Sequence, residues 1–233
     1  MIIHGNIKII DLALLINKEI LVITDTQIGY EESLNKQGVL IPRFQFKDLQ
    51  DRLKKILDKT KPKKIIINGD IKHEFSSISE TEWRHTIKLI DFLAEHAELI
   101  LIKGNHDTIL RPIARKRNIK IIDYYVIDNI YLCHGHHIPN NKYFYKNKVV
   151  IIGHEHPAVF LKDHGHVEKF KCFLKGKYEG KTLIVQPSFN LLTEGTDILT
   201  EKPLSPFLKK NLDDFEVYVV ADKVRYFGKV KNL

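Results

Sequence analysis

Five short segments of the 233-residue chain join an apolar run to side chains that bind cations or move protons: Asp25-Thr26-Gln27, Gly69-Asp70, Gly104-Asn105-His106-Asp107, Cys133-His134 and Gly153-His154-Glu155-His156. Carboxylate oxygens, amide oxygens and imidazole nitrogens are the donors that divalent ions accept. A carboxylate can bind two ions at once. Two ions about 3.5–4 Å apart would acidify a bridging water and neutralise the charge that develops in an in-line displacement at phosphorus. Such chemistry needs no nucleophile from the protein. Taken singly, each segment has a plainer explanation. An Asp after a strand commonly shapes a turn, Asp107 sits where it would N-cap the segment beginning TILRPIARK, and an isolated His is more often a hydrogen-bonded structural residue. Five such coincidences are hard to assign to turn chemistry, because strand ends at one edge of an α/β sheet are where distant segments meet.

The ordered set of these motifs, Asp first, then GD, GNHD, a lone His and GHxH, resembles the calcineurin-like metallophosphoesterase family over residues 25–156. Closer detail is similar to the ICC-like phosphoesterase branch that includes DNA-ligase-associated metallophosphoesterases: GYE after the first motif, KHEF after the second, and PSFNLLTEGTD followed by SPFL. The resemblance implies a fold of two mixed β-sheets packed as a sandwich and flanked by helices. It implies two divalent ions, Mn²⁺ foremost, with Mg²⁺, Fe²⁺, Ni²⁺ or Zn²⁺ as alternatives. Asp25, Gln27, Asp70 and His156 would surround one ion, Asp70, Asn105, His134 and His154 the other, with Asp70 bridging. Family members carry His where this chain has Gln27. An amide oxygen is neutral and harder than imidazole, which weakens that site and shifts it toward oxygen-loving metals.

The proton for a departing oxygen must come from the protein, and His106 is the candidate general acid because Asn105 would fix it beside the second ion. His73, three residues after Asp70, resembles a GDxxH arrangement and is placed as a second catalytic residue in contact with substrate phosphate or with His106. His136 is a further candidate substrate contact, with His137 read as surface. Glu155 alternates with two ligands and is expected to point away. Lys72, Arg43 and Arg111 are candidate phosphate contacts, while His4, His85, His96, His164 and His166 have no spacing that links them to the set.

The elements that must hold these residues are short runs of Ile, Val and Leu separated by amphipathic stretches, the alternation of an α/β fold. Strands are expected over 19–24, 64–68, 99–103, 130–133, 149–152, 182–185 and 215–220. A helix is expected over 44–59, where Leu49, Leu53, Ile56 and Leu57 recur on one face, and another starts at Ser79 with a capping box to Glu82. Lys and aromatic residues interleave over 140–148 and 160–180, a mixture that forms either an edge hairpin or a phosphate-facing surface, with the solvated edge expected. The chain is expected to form one domain over 1–233, with 187–210 covering the pocket or mediating an oligomer contact.

Composition bounds the rest. With 43% hydrophobic residues the chain can bury one sizeable core, and two cysteines outside any CxxC spacing read as reduced thiols. No stretch approaches the roughly 20 apolar residues of a membrane span, and the start, MIIHGNIKII, lacks a signal-type n-region, so a cytoplasmic protein is expected. A formal charge of +8 favours polyanions. The expected function is hydrolysis of nucleic-acid or nucleotide phosphodiesters by a metal-bridging hydroxide, with DNA or RNA as candidate partners. A phosphomonoesterase or nucleotide pyrophosphatase on the same metals, or a non-catalytic interaction or nucleic-acid-binding module on the same fold, are the alternatives.

Overall fold

Ile, Val and Leu fill every position of the ILVI run at Ile20–Ile23 and three of the five in Lys64–Asn68, side chains that pack well on a pleated surface. The computed structural model describes all residues of 1–233 except 42, 43, 76, 77, 108, 109, 164 and 165. Arg43 and His164 therefore lie outside the described residues, as does the side chain of His166.

Seven strands form the first sheet in chain order: β1 (Ile2–His4), β2 (Ile7–Ile10), β3 (Ala13–Ile16), β4 (Ile20–Ile23), β5 (Lys64–Asn68), β6 (Glu98–Ile102) and β7 (Lys120–Ile122). Pairing is antiparallel up to β4 and parallel from β4 to β7. Parallel neighbours need crossovers, and helices supply them: α1 (Tyr30–Lys36) and α2 (Gln45–Thr60) before β5, α3 (Glu80–Ala94) before β6, and α4 (Arg111–Lys116) before β7. The α2 face that carries Leu49, Leu53, Ile56 and Leu57 is the buried one.

The second sheet has nine strands among the described residues. Its order is β14 (Thr196–Asp197), β11 (Pro157–Asp163), β12 (His166–Tyr178), β13 (Lys181–Val185), β10 (Val149–Ile152), β9 (Ile130–Leu132) and β8 (Tyr125–Ile127), with β15 (Glu216–Val220) beside β12 and β16 (Val224–Lys229) beside β15. Alternation along β10 shows how the sheet divides its faces. Val149 and Ile151 join the core shared with the first sheet, alongside Leu132, Phe173 and Ile184. Val150 and Ile152 face the other way, into a cluster with Tyr131, Phe144 and Phe207 that α5 (Lys142–Lys146) helps to cover.

These are two mixed sheets with helices outside, as expected, and every expected strand and the first helix form with ends shifted by at most one residue. Three expectations fail locally. Segment 140–148 is no hairpin, because the Asn141 side chain accepts from the Tyr143 and Phe144 N–H groups and starts a short helix. The run 160–180 is not a solvated edge: Cys172, Phe173 and Leu174 are fully buried, with β15 and β13 pairing on β12. The capping box is half formed, since Ser79 accepts from the Glu82 N–H at 3.1 Å while the Glu82 carboxylate turns elsewhere.

Phe173 lies between the sheets with no exposed surface. Phe173→Ala should lower the unfolding free energy by about 3–5 kcal/mol, read as a shift of the urea midpoint at constant slope.

Candidate metal centre

Strands β4, β5 and β6 run parallel in one sheet, and β9 and β10 run parallel in the other, so each sheet brings its C-terminal strand ends to one edge. All five motifs start within two residues of these ends. The chain must turn there sharply. Asp25, Gln27, Asp70, His154 and His156 have φ of 52°, 41°, 49°, 65° and 51°. That left-handed region disfavours any side chain with a Cβ by about 1–2 kcal/mol per residue, and it clusters at functional sites where the surroundings over-determine it. Two glycines permit the approach. A Cβ on Gly104 would stand 2.1 Å from Asp70 Oδ1, and one on Gly153 would stand 2.0 Å from Thr24 Oγ1 and 2.6 Å from Asp25 Oδ2.

The motifs converge. His134 Nε2 lies 3.2 Å from Asp70 Oδ2, 3.9 Å from Asp25 Oδ1 and 3.2 Å from Asn105 Oδ1, and His156 Nε2 lies 3.1 Å from Asp25 Oδ1. Donor atoms of Asp70, His134 and His154 all fall within 4.8 Å of one another. The set suits divalent ions on two further grounds. His134 Nδ1 sits 2.9 Å from the Asn68 carbonyl, so its N–H is donated there and Nε2 is left for a ligand. Asp25 Oδ1 and His156 Nε2 are buried without a hydrogen bond, a condition that a shared cation relieves.

Electrostatics follow from crowding like groups. Burial works against ionisation of Asp25, but the imidazoles of His156 and His134 hold its carboxyl well below the usual range. Burial would lower His134, yet the carboxylates of Asp25 and Asp70 raise it to about 9. His154 goes the other way, down to about 4, through burial and then the neighbouring His134.

His106 donates its backbone N–H to Asp70 Oδ1 at 2.9 Å, its Nε2 lies 3.8 Å from Asp70 Oδ2, and its Nδ1 is hydrogen-bonded to the His73 carbonyl. The His73 ring stands 6.0 Å from the His106 ring and 4.7 Å from that of Tyr30, with Nδ1 buried and unpartnered. His136 is half-buried, 5.4 Å ring to ring from His134, whereas His137 is exposed. The Gln27 amide oxygen accepts a 3.3 Å hydrogen bond from the Thr193 hydroxyl. Lys72 is fully buried with its ammonium on the Glu74 carbonyl, which removes it from the expected phosphate contacts, while Arg111 is exposed on α4. His4, His85 and His96 engage elsewhere, His85 stacking on Phe46 and His96 bonding the Phe92 carbonyl.

Several residues that the sequence did not mark as braces hold the motifs in place. Asp107 is no helix cap: buried, it accepts from the N–H groups of Ile71 at 3.0 Å and Gly104 at 2.9 Å, lashing the second motif to the third, and burial with the Asp70 charge raises its pKa to about 6. Glu82 accepts from the N–H groups of His73 and Glu74, both at 2.9 Å. Glu155 points away from the set, as alternation implied, and its carboxylate accepts from Leu204 and Ser205. Segment 187–193 braces the first motif from behind. Ser188 Oγ donates to the Asp25 carbonyl at 2.8 Å, and Asn190 Nδ2 donates to the Thr26 and Gln27 carbonyls at 3.1 and 3.2 Å. The Lys171 ammonium, from β12, donates in turn to the Ser188 and Asn190 carbonyls. The one sequence signal for this brace was the PSFN string itself, which periodicity does not interpret.

Comparison with known proteins agrees with this architecture. The profile described as calcineurin-like phosphoesterase matches residues 18–211. Among solved structures, the nuclease MPE of Pseudomonas putida is similar at 21% identity and TM-score 0.65, over 93% of this chain and 92% of that one. The YfcE phosphoesterase of E. coli is similar at 12% identity and TM-score 0.46, over 90% and 98%, and the zinc complex of Vps29 from Entamoeba histolytica at 17% and 0.42, also over 90% and 98%. No curated protein matches. Among the described residues no helix is long and apolar enough to cross a membrane.

Burial, with Arg52 adding repulsion, lowers the Lys171 pKa to about 7. A lysine whose folded pKa lies below its unfolded value of about 10.4 is protonated in both states below pH 7, and only in the unfolded state above it. Stability therefore rises with pH through that window, by about 1.4 kcal/mol per unit. Relative to Lys171→Met, the wild type should gain stability between pH 7 and 10, and the two urea-midpoint curves should run parallel below pH 7.

Proposed function

Because the chain belongs to the calcineurin-like phosphoesterase family, we propose that it is a two-metal phosphodiesterase acting on nucleic-acid or nucleotide phosphodiesters. The observation that carries this reading is the convergence on Asp70, with His134 Nε2 at 3.2 Å, His106 Nε2 at 3.8 Å, and donor atoms of His134 and His154 grouped with its own. In this reading Asp25, Gln27, Asp70 and His156 would hold one divalent ion and Asp70, Asn105, His134 and His154 the other. The mixture of carboxylate and amide oxygens with imidazoles favours Mn²⁺. When bound, the ions supply Lewis acidity that lowers the pKa of a water and neutralises charge on the phosphoryl oxygens.

The chain's own residues supply the rest. The His73 carbonyl accepts a hydrogen bond from His106 Nδ1–H and so aims Nε2 into the centre, from which His106 protonates the departing oxygen. His73 thus orients His106 through its backbone, and its ring faces the same space. His136 flanks the centre beside His134 and contacts the substrate. The basic balance of the chain, +8, favours an anionic polymer over a small ester.

One observation favours a second reading, a non-catalytic module. The Gln27 amide oxygen, neutral where the family carries imidazole, already shares its electron density with the Thr193 hydroxyl, which weakens it as a metal ligand. Activity decides between them. Mn²⁺-dependent turnover of bis-p-nitrophenyl phosphate should exceed that of p-nitrophenyl phosphate and vanish with EDTA or in Asp70→Ala, the reverse preference pointing to a phosphomonoesterase. His106→Ala should lower kcat on a nucleotide diester by about 10²–10⁴-fold, and by less on p-nitrophenyl esters, whose leaving group needs little protonation. Absence of turnover on every ester with Mn²⁺ bound would favour the module.

A further inference from the structure

The segment that carries Asn105 and His106 continues into a surface feature that the proposed reaction does not use. Lys103 precedes Gly104, and Arg111 opens α4 four residues beyond Asp107. Together with Arg115 and Lys116 of α4 they rim a groove of about 860 Å³ at the β7 edge of the first sheet, where the acidic side chain in the lining is that of Asp123. Pro112, Ile119 and Ile121 contribute an apolar floor. None of the four cations forms an ion pair among the described residues. Some basic side chains elsewhere are matched: Lys175 to Glu216 at 2.7 Å, Lys229 and Lys231 to Asp214 at 3.0 Å each, and Arg117 to Asp91. Four unmatched cations against one carboxylate thus line a single groove beside the GNHD segment.

Resting on the phosphodiesterase reading above, we propose that this groove is the track for a single strand of nucleic acid leaving the metal centre. The six residues of chain from Asn105 reach at most about 22 Å, so Arg111 stands within a few nucleotides of the scissile bond. Arginine side chains take phosphate oxygens through paired N–H donors, and the aliphatic lining offers apolar contact to an unstacked base, neither of which reads sequence. An anionic membrane surface would offer the same charge but no reason for a concave floor joined to the catalytic segment.

The test separates this claim from the hydrolase reading, because binding is measured without metal. In EDTA, a fluorescent single-stranded DNA oligonucleotide is titrated at several salt concentrations against wild type, Arg111→Ala/Arg115→Ala and, as a control of equal charge, Lys229→Ala/Lys231→Ala. The groove variant should bind at least about tenfold more weakly, and its log–log salt slope should be shallower by about 1.4, two phosphate contacts at 0.7 each. The control should match wild type. With Mn²⁺ present, the ratio of kcat/KM on the oligonucleotide to that on bis-p-nitrophenyl phosphate should fall in the groove variant. Equal weakening in both variants, no weakening in either, or no wild-type binding would overturn the proposal, as would binding to phosphatidylserine vesicles with the same sensitivity to the groove variant. Loss of ester turnover in the wild type, with the binding pattern intact, would instead sink the hydrolase reading alone.

Discussion

Two carboxylates, Asp25 and Asp70, are withdrawn from water and share one imidazole between them, and the remainder of the molecule is arranged around making that tolerable. An ionised carboxylate in a dry interior is strongly unfavourable unless positive charge and hydrogen-bond donors surround it. Here the Asp25 carboxylate accepts from Thr24 Oγ1 at 2.6 Å and the His154 N–H at 3.0 Å, and Asp70 accepts from the His106 N–H. What those donors leave unmet is negative potential directed into one small space. Cations are the natural complement, and the sharply turned backbone at five of the seven proposed ligands is the strain that such a focus requires.

The brace behind the first motif shows how that strain is held. A strand end in the left-handed region would relax if its carbonyl groups were free to rotate. The Asp25, Thr26 and Gln27 carbonyls are instead each pinned by a side chain from segment 187–193, which is itself pinned by the half-buried Lys171. Rigidity at the centre is thus supplied from β12, far from it in sequence. Asp107 and Glu82 do the equivalent work for the loops bearing Asp70 and His73.

The amino-acid sequence made much of this legible, and the exceptions are instructive. Buried strands such as β5 and β10 declare themselves because both faces are apolar, and the motif residues are visible because they interrupt such runs with donors. Asp107 and Glu82 were misjudged for one reason: each sits at a position where a local cap would use it, and local spacing cannot reveal that a carboxylate reaches another loop. Lys171 carried no signal, since a lysine in an alternating strand is ordinary, and Asn190 stood in the PSFN string with nothing local to show what it would hold. The central half of β12 read as surface because its flanks are so rich in Lys, whose long stems allow charge to reach solvent or a carbonyl from a buried backbone.

The centre is divided between sheets, with Asp25, Asp70 and Asn105 arising from the first and His134, His154 and His156 from the second. The first sheet ends at Ile122, so all of its carboxylates are synthesised before any of the histidines that complement them. An ion that arrives during synthesis meets only half of its coordination sphere. An ion held by both sets would therefore tie the two sheets together across a seam that hydrophobic packing must first close.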